Sequence, residues 1–92
     1  MTQATPYTLA FEPVVERILK SLKKKNPDLF RKVKSGIVKI LHSPELGKPL
    51  RNELRNNRRI HIAGSFVLLY EITGTEIRLL DFDHHDRIYK KH

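Results

Sequence analysis

Histidine is the side chain whose proton changes hands most readily near neutral pH, and this chain sets its histidines among arginines, aspartates and a tyrosine. His61 stands between Ile60 and Ile62. In an alternating strand it points away from those two core candidates, on a face shared with Arg59. That face is either a solvated surface or the floor of a site, and taken alone the surface is the simpler reading. Further on, Asp81-Phe82-Asp83-His84-His85-Asp86 crowds five ionisable residues into one stretch. If the chain stays extended there, Asp81, Asp83 and His85 point one way and Phe82, His84 and Asp86 the other. Histidine and carboxylate suit zinc or manganese. No second ligand group stands elsewhere to complete such a site, so no metal is expected. Tyr89 lies four residues beyond His85, either tucked under a sheet edge or free to stack on an unpaired base.

Charge supplies the second signal. The 92 residues carry a net charge of +8 and have a pI near 10.1, a field that attracts polyanions and says nothing about fold. Lysines and arginines from Arg17 to Lys39 decorate a predicted helix pair, where a solvated face explains them as well as a binding face does. A second group is Lys48, Arg51, Arg55, Arg58 and Arg59, opposed by Glu53. These residues precede His61 on a loop and strand, where arginines can fork onto phosphate oxygens. Phosphate binding becomes the better explanation if both groups share a face.

These side chains need elements to hold them. Tyr7 to Phe11 reads as a short strand. Pro13 suits a first helical turn, and Val15, Ile18, Leu19 and Leu22 then mark one face of a helix that fades in Lys23-Lys24-Lys25. Asn26-Pro27-Asp28 starts a second helix. Its apolar stripe runs from Leu29 to Leu41, with Gly36 inside it for close packing, and Ser43-Pro44 stops it. Glu45 to Asn57 reads as a loop leading into a ragged strand. Arg59 to Ala63, Phe66 to Ile72 and Glu76 to Phe82 form an antiparallel meander, with turns at Gly64-Ser65 and Thr73-Gly74-Thr75. The expectation is an α+β fold, β-α-α-β-β-β, with two antiparallel helices packed on one mostly antiparallel sheet. It forms one domain over residues 1–92, with residues 1–5 as a flexible lead. Cysteine is absent, which excludes disulfides and thiolate metal sites. The N-terminus lacks the apolar run of a signal peptide and no stretch has the length of a membrane span, so the expected location is the cytoplasm, with no membrane partner.

The chain from Pro6 to Tyr89 resembles the RelE/ParE superfamily of toxins from bacterial and archaeal toxin–antitoxin pairs. Three stretches carry the resemblance. Lys48-Pro49-Leu50 with Leu54 is similar to the loop before the family's second strand. Arg59 to Ile72 (RIHIAGSFVLLYEI) resembles its central hairpin, and His84-His85-Asp86-Arg87-Ile88-Tyr89 its C-terminal "H-R-D-x-x-Y" stretch. The histidine-bearing hairpin is most similar to the YafQ branch of ribosome-dependent messenger-RNA endonucleases. By that resemblance His61 and His85 occupy catalytic positions. The chain departs from that branch at Lys48, where the branch has histidine, and at Ser65, where it has aspartate. It departs from the RelE branch at Val67 and His85, where that branch has arginine.

The resemblance implies metal-independent RNA cleavage with no cofactor, in which the 2′-hydroxyl attacks the adjacent phosphate. Such a reaction needs a base, an acid and cations for the added phosphate charge. His85 is the expected acid or base, with His61 as its partner or a phosphate ligand. Lys48, Arg51, Arg55, Arg58 and Arg59 are the expected grip on phosphate, Tyr89 a base platform, and His42, His84 and His92 incidental. The implied partners are messenger RNA on the ribosome and a cognate antitoxin, acidic where it meets the basic face. Three alternatives stand: a non-catalytic RNA-binding domain, a ParE-type inhibitor of DNA gyrase, and a metal-dependent nuclease. No oligomeric state follows from the sequence.

Overall fold

Alternating and helical apolar periods lead the chain into two layers. In the computed structural model, which describes residues 6–50 and 57–91, β1 (Thr8–Phe11) is followed by α1 (Pro13–Lys25) and α2 (Pro27–His42). A single 3-10 turn (Pro44–Leu46) leads to β2 (Lys48–Pro49), β3 (Asn57–Ile62), β4 (Phe66–Thr73) and β5 (Glu76–His84), and α3 (His85–Lys91) closes the chain. The expectations for residues 1–5, Leu54, His92 and the phosphate contacts of Arg51 and Arg55 lie outside the described residues.

The strands form a five-stranded sheet in the order β1-β5-β4-β3-β2. Every pair is antiparallel except β1 with β5, which run parallel from Thr8 opposite Glu76 to Phe11 opposite Leu79. The helix pair covers one face. Asn26 caps α2 by accepting the Leu29 N–H at 3.2 Å, and Pro27 occupies the first turn. Val15, Leu29, Val33, Ile37 and Ile40 meet Ile62, Leu68, Tyr70, Ile77, Leu79 and Phe82 in the main core. Gly36 is required by the close approach of α2 to β3. A Cβ there would lie 2.6 Å from Ile62 Cδ1 and 3.1 Å from Ile60 Cδ1.

Two features depart from the sequence reading. The "ragged" segment contains the two-residue β2, paired through Lys48 with Arg59 and Pro49 with Arg58. The C-terminal stretch does not stay extended. His85 opens α3, whose Ile88 seals a second, smaller core with Val67 and Leu69 on the sheet face away from α1 and α2. Alternation therefore stops at His85 instead of sending His84 and His85 to opposite sides, and their rings stack with centroids 4.8 Å apart.

A bulge decides which residues meet α3. Leu69 pairs with Asp81 but Tyr70 pairs with Leu79, leaving Leu80 as the extra residue in β5. One inserted residue reverses the alternation beyond it. Ile77 and Leu79 thus face the main core, whereas Asp81 and Asp83 face α3.

Candidate functional site

The site begins with a buried hydroxyl. Tyr70 on β4 is fully buried, and its Oη donates to the Pro44 carbonyl at 2.6 Å and accepts the Gly47 N–H at 2.9 Å. Burial pushes this phenol above its ordinary pKa of 10.0, and the Gly47 N–H and the charge of Arg58 oppose that shift without overcoming it. Gly47 admits the contact because it lacks a side chain. A Cβ there would stand 2.5 Å from the Tyr70 hydroxyl and 2.8 Å from the Arg59 carbonyl. Arg58 adds a clasp, donating to the Gly47 carbonyl at 2.8 Å and that of Glu45 at 3.4 Å. The loop is thereby pinned where it delivers Lys48 opposite Arg59.

Lys48, Arg59 and His61 line an open cleft of about 500 Å³ between the β3 edge and α2. Its far wall is Lys32, Ser35, Gly36 and Lys39, with Leu46 at the rim and 53% exposed. Among the described residues Arg59 Nε is buried without a hydrogen-bond partner, a donor left unmet by the protein. The Arg59 guanidinium carbon lies 5.7 Å from the Tyr89 ring centroid. This is a cation–π distance, and it ties β3 to α3.

On α3, His85 is 44% exposed at the side chain, and its Nδ1 lies 3.0 Å from Asp86 Oδ1. Its backbone N–H donates to the Ser65 carbonyl at 2.9 Å, which seats the helix start on the β3–β4 turn. His61 lies opposite Val67, and Val67 opposite Asp83, so both histidines stand at that end of the sheet. His84 lies edge-on to Phe66 at 5.8 Å, and its Nδ1 accepts the Asp86 N–H at 3.3 Å. The ligand atoms of His84, His85 and Asp86 lie within 4.8 Å of one another, but they already partner each other.

Asp83 sits among cations. Burial raises its carboxyl, but the His84 N–H, Arg87 and Lys91 outweigh that and hold it below 3.8. Lys91 is raised above 10.5, chiefly by its hydrogen bond to Asp81, with burial opposing and Asp83 adding.

Of the residues singled out in the sequence, Lys48, Arg59 and His61 border the cleft, and strand alternation turns Arg59 and His61 to the sheet face that carries α3, where Arg59 meets Tyr89. His85 stands beside them on α3 rather than in the cleft wall. Arg58 is turned away. It lies opposite Tyr70 on the main-core side of β3, and its guanidinium holds backbone carbonyls. Lys32 and Lys39 were passed over among the other helical lysines. Their seven-residue spacing across the small pair Ser35-Gly36 was the available signal, marking one helix face with a gap between two cations. Tyr70 gave no signal beyond its place in an apolar run.

The structure is similar to a chain of the RelBE2 toxin–antitoxin complex of Mycobacterium tuberculosis, at TM-score 0.70 and 31% identity, covering 86% of this chain and 98% of that one. It shares its fold with a chain of the Escherichia coli DinJ–YafQ toxin–antitoxin complex, at TM-score 0.75 and 16% identity over 91% and 98% of the two chains. A protein of Methanocaldococcus jannaschii named for a toxin, RelE4, is 33% identical over 87 residues, which is 92% of this chain and 93% of that one. Residues 6–89 match the family described as the ParE toxin of type II toxin–antitoxin systems, parDE. The chain belongs to that family, within the RelE/ParE superfamily.

Proposed function

We propose that this toxin is a metal-independent endoribonuclease that cleaves messenger RNA on the ribosome and so stops translation. The carrying observation is the cluster at one end of the sheet, where Arg59 and His61 share a face of β3, Lys48 pairs opposite Arg59, and α3 brings Tyr89 and His85 alongside, with the Lys32 and Lys39 cleft on the other side of the β3 backbone. Cations on both sides of the β3 backbone suit a phosphate backbone drawn across that end of the sheet. Asp86 at the Nδ1 of His85 fixes that ring and leaves Nε2 for proton transfer.

In this reading the substrate 2′-oxygen forms a bond to phosphorus as its proton passes to a histidine. The bond from phosphorus to the 5′-oxygen then breaks as that oxygen takes a proton. The products are a 2′,3′-cyclic phosphate and a 5′-hydroxyl. His85 is the principal proton carrier and His61 its partner, Lys48 and Arg59 hold the charged phosphate, and Tyr89 stacks on a base. Lys32 and Lys39 carry the flanking backbone. The relatives found in complexes with antitoxins support an antitoxin partner here, acidic where it fills the cleft and apolar where it covers Leu46. Among the described residues no helix is long and apolar enough to cross a membrane, and the reading places the protein in the cytoplasm with the ribosome.

The test is His85→Ala in a messenger-RNA cleavage assay with ribosomes present. Cleavage should fall by about 100-fold or more, and undiminished cleavage refutes the assignment. The ParE description of the family favours a second reading, inhibition of DNA gyrase. Blocked supercoiling with intact messenger RNA would select it.

A further inference from the structure

α3 carries His85 and Tyr89, yet little of it is buried. It has seven residues, too few to be helical alone, and only Ile88 among them is buried. One apolar knob fixes neither the rotation nor the tilt of a helix. Rotation matters here, because each residue of helical phase turns the side chains by about 100°.

Two carboxylates on β5 supply what Ile88 does not. Asp81 is only 4% exposed, and its Oδ1 accepts the Phe82 N–H at 2.8 Å. Asp83 Oδ1 accepts the His84 N–H at 2.7 Å. Each carboxylate is thus locked to its own strand. From α3, Lys91 Nζ reaches Asp81 at 2.7 Å and Asp83 at 3.1 Å, while Arg87 Nε reaches Asp83 at 2.9 Å. Arg87 and Lys91 are four residues apart, and so are His85 and Tyr89, so the two pairs form stripes on roughly opposite sides of one short helix. The bulge at Leu80 is what turns both aspartates toward this helix.

We propose that Asp81 and Asp83, acting through Lys91 and Arg87, are positioning residues that clamp α3 in the one rotation that presents His85 and Tyr89 beside Arg59 and His61 of β3. The inference rests on the proposed RNA-cleaving reading for its consequence, but not for its geometry. Neither aspartate touches substrate.

The experiment compares Lys91→Met, Lys91→Arg and the double variant Asp81→Asn/Lys91→Met. The double variant removes the unpaired buried charge that Lys91→Met alone would leave, so it keeps the test valid if the single variant unfolds. The first readout is amide exchange at His85, whose N–H bonds to Ser65. Exchange should quicken by about tenfold or more in the double variant while β5 amides such as Leu79 hold their protection. Lys91→Arg should restore protection. The second readout is ribosome-dependent cleavage, where kcat should fall by roughly 10- to 100-fold. Affinity for an RNA carrying a 2′-deoxy sugar at the scissile position should fall by no more than about tenfold, the loss of one stacked base, since Lys48 and Arg59 remain. Wild-type protection of His85 in the double variant, or an unchanged kcat, overturns the clamp. If the wild-type protein cleaves no RNA, the functional reading fails, and amide exchange alone decides the clamp.

Discussion

Tyr70→Phe removes one oxygen from the protein and tests how the cleft is built. The ring stays in the core, so the change isolates the two hydrogen bonds to Pro44 and Gly47, at 2.6 and 2.9 Å. Each such bond contributes about 0.5–1.5 kcal/mol net, and a buried backbone group left without a partner costs about 1–3 kcal/mol. The Pro44 carbonyl and the Gly47 N–H both lose their partner at once, in a region where Pro44 and Gly47 are buried. Arg58 grips the neighbouring Gly47 and Glu45 carbonyls and remains, which limits how far the loop can move to find water. The expected loss is therefore about 2–3 kcal/mol.

Urea unfolding reads this directly, as a lower midpoint with unchanged slope. Thermal unfolding should show a drop of roughly 10–20 °C for a domain of this size. The functional consequence is separate. Lys48 follows Gly47, so RNA affinity should weaken even at temperatures where the variant is fully folded. A loss under about 0.5 kcal/mol, within the range of a surface substitution, would refute the argument. It would mean that Arg58 and the β2 pairing hold the loop without the phenol.

The remaining expectations follow from the same contacts. Gly47→Ala should destabilise by about 2 kcal/mol or more, because its Cβ meets the Tyr70 hydroxyl and the Arg59 backbone, which cannot both yield; a urea midpoint matching wild type would show that the loop repacks. Lys48→Met and Arg59→Met should each weaken RNA binding and lower the slope of log affinity against log salt by about 1. An unchanged slope, measured by titration at several salt concentrations, would remove that residue from the phosphate grip. Stability should also fall at both pH extremes through the α3 clamp. Asp83 is held below 3.8 in the folded protein, so its contribution is present above that value and is lost as pH falls through its lowered pKa. Lys91 is raised above 10.5, so its contribution is present below that value and disappears as pH climbs through its raised pKa. Urea midpoints across pH should show both limbs for wild type and a flatter alkaline limb for Lys91→Met.

How far the sequence reaches can be argued from individual residues. The helix pair and the three-strand meander were legible because each rests on local signals: Asn26-Pro27 at a helix start, the apolar stripes, and glycine at the turns. The left-handed backbone at Gly64, with φ of 80°, sits where the first turn was expected, and the turn begins one residue earlier, at Ala63 with φ of 55°. Arg59 and His61 stand two apart on one strand, as their alternation suggested, and Lys48 comes opposite Arg59 through the β2 pairing. What was not legible depends on partners distant in the chain. Nothing near Tyr70 announces a hydroxyl among apolar residues whose partners lie more than twenty positions earlier. Nor does Arg58 differ in type from Arg59. Only strand phase sends one guanidinium to the loop carbonyls and the other to the Tyr89 ring on α3.

The C-terminal cluster shows why phase is the deciding quantity. Read as one extended run, Asp81, Asp83 and His85 share a face, with no second ligand group to make a metal site of it. A single extra residue at Leu80 and a helix start at His85 change that assignment. The aspartates then turn from candidate ligands into anchors for Lys91 and Arg87, and the histidine is released to the other side of a short helix. Were the bulge absent, Asp81 and Asp83 would face Val15 and the apolar helices, where an unpaired carboxylate is strongly disfavoured. The bulge thus does two things with one residue. It keeps charge out of the main core, and it gives α3 a surface to grip, which is what a two-turn helix bearing His85 and Tyr89 requires.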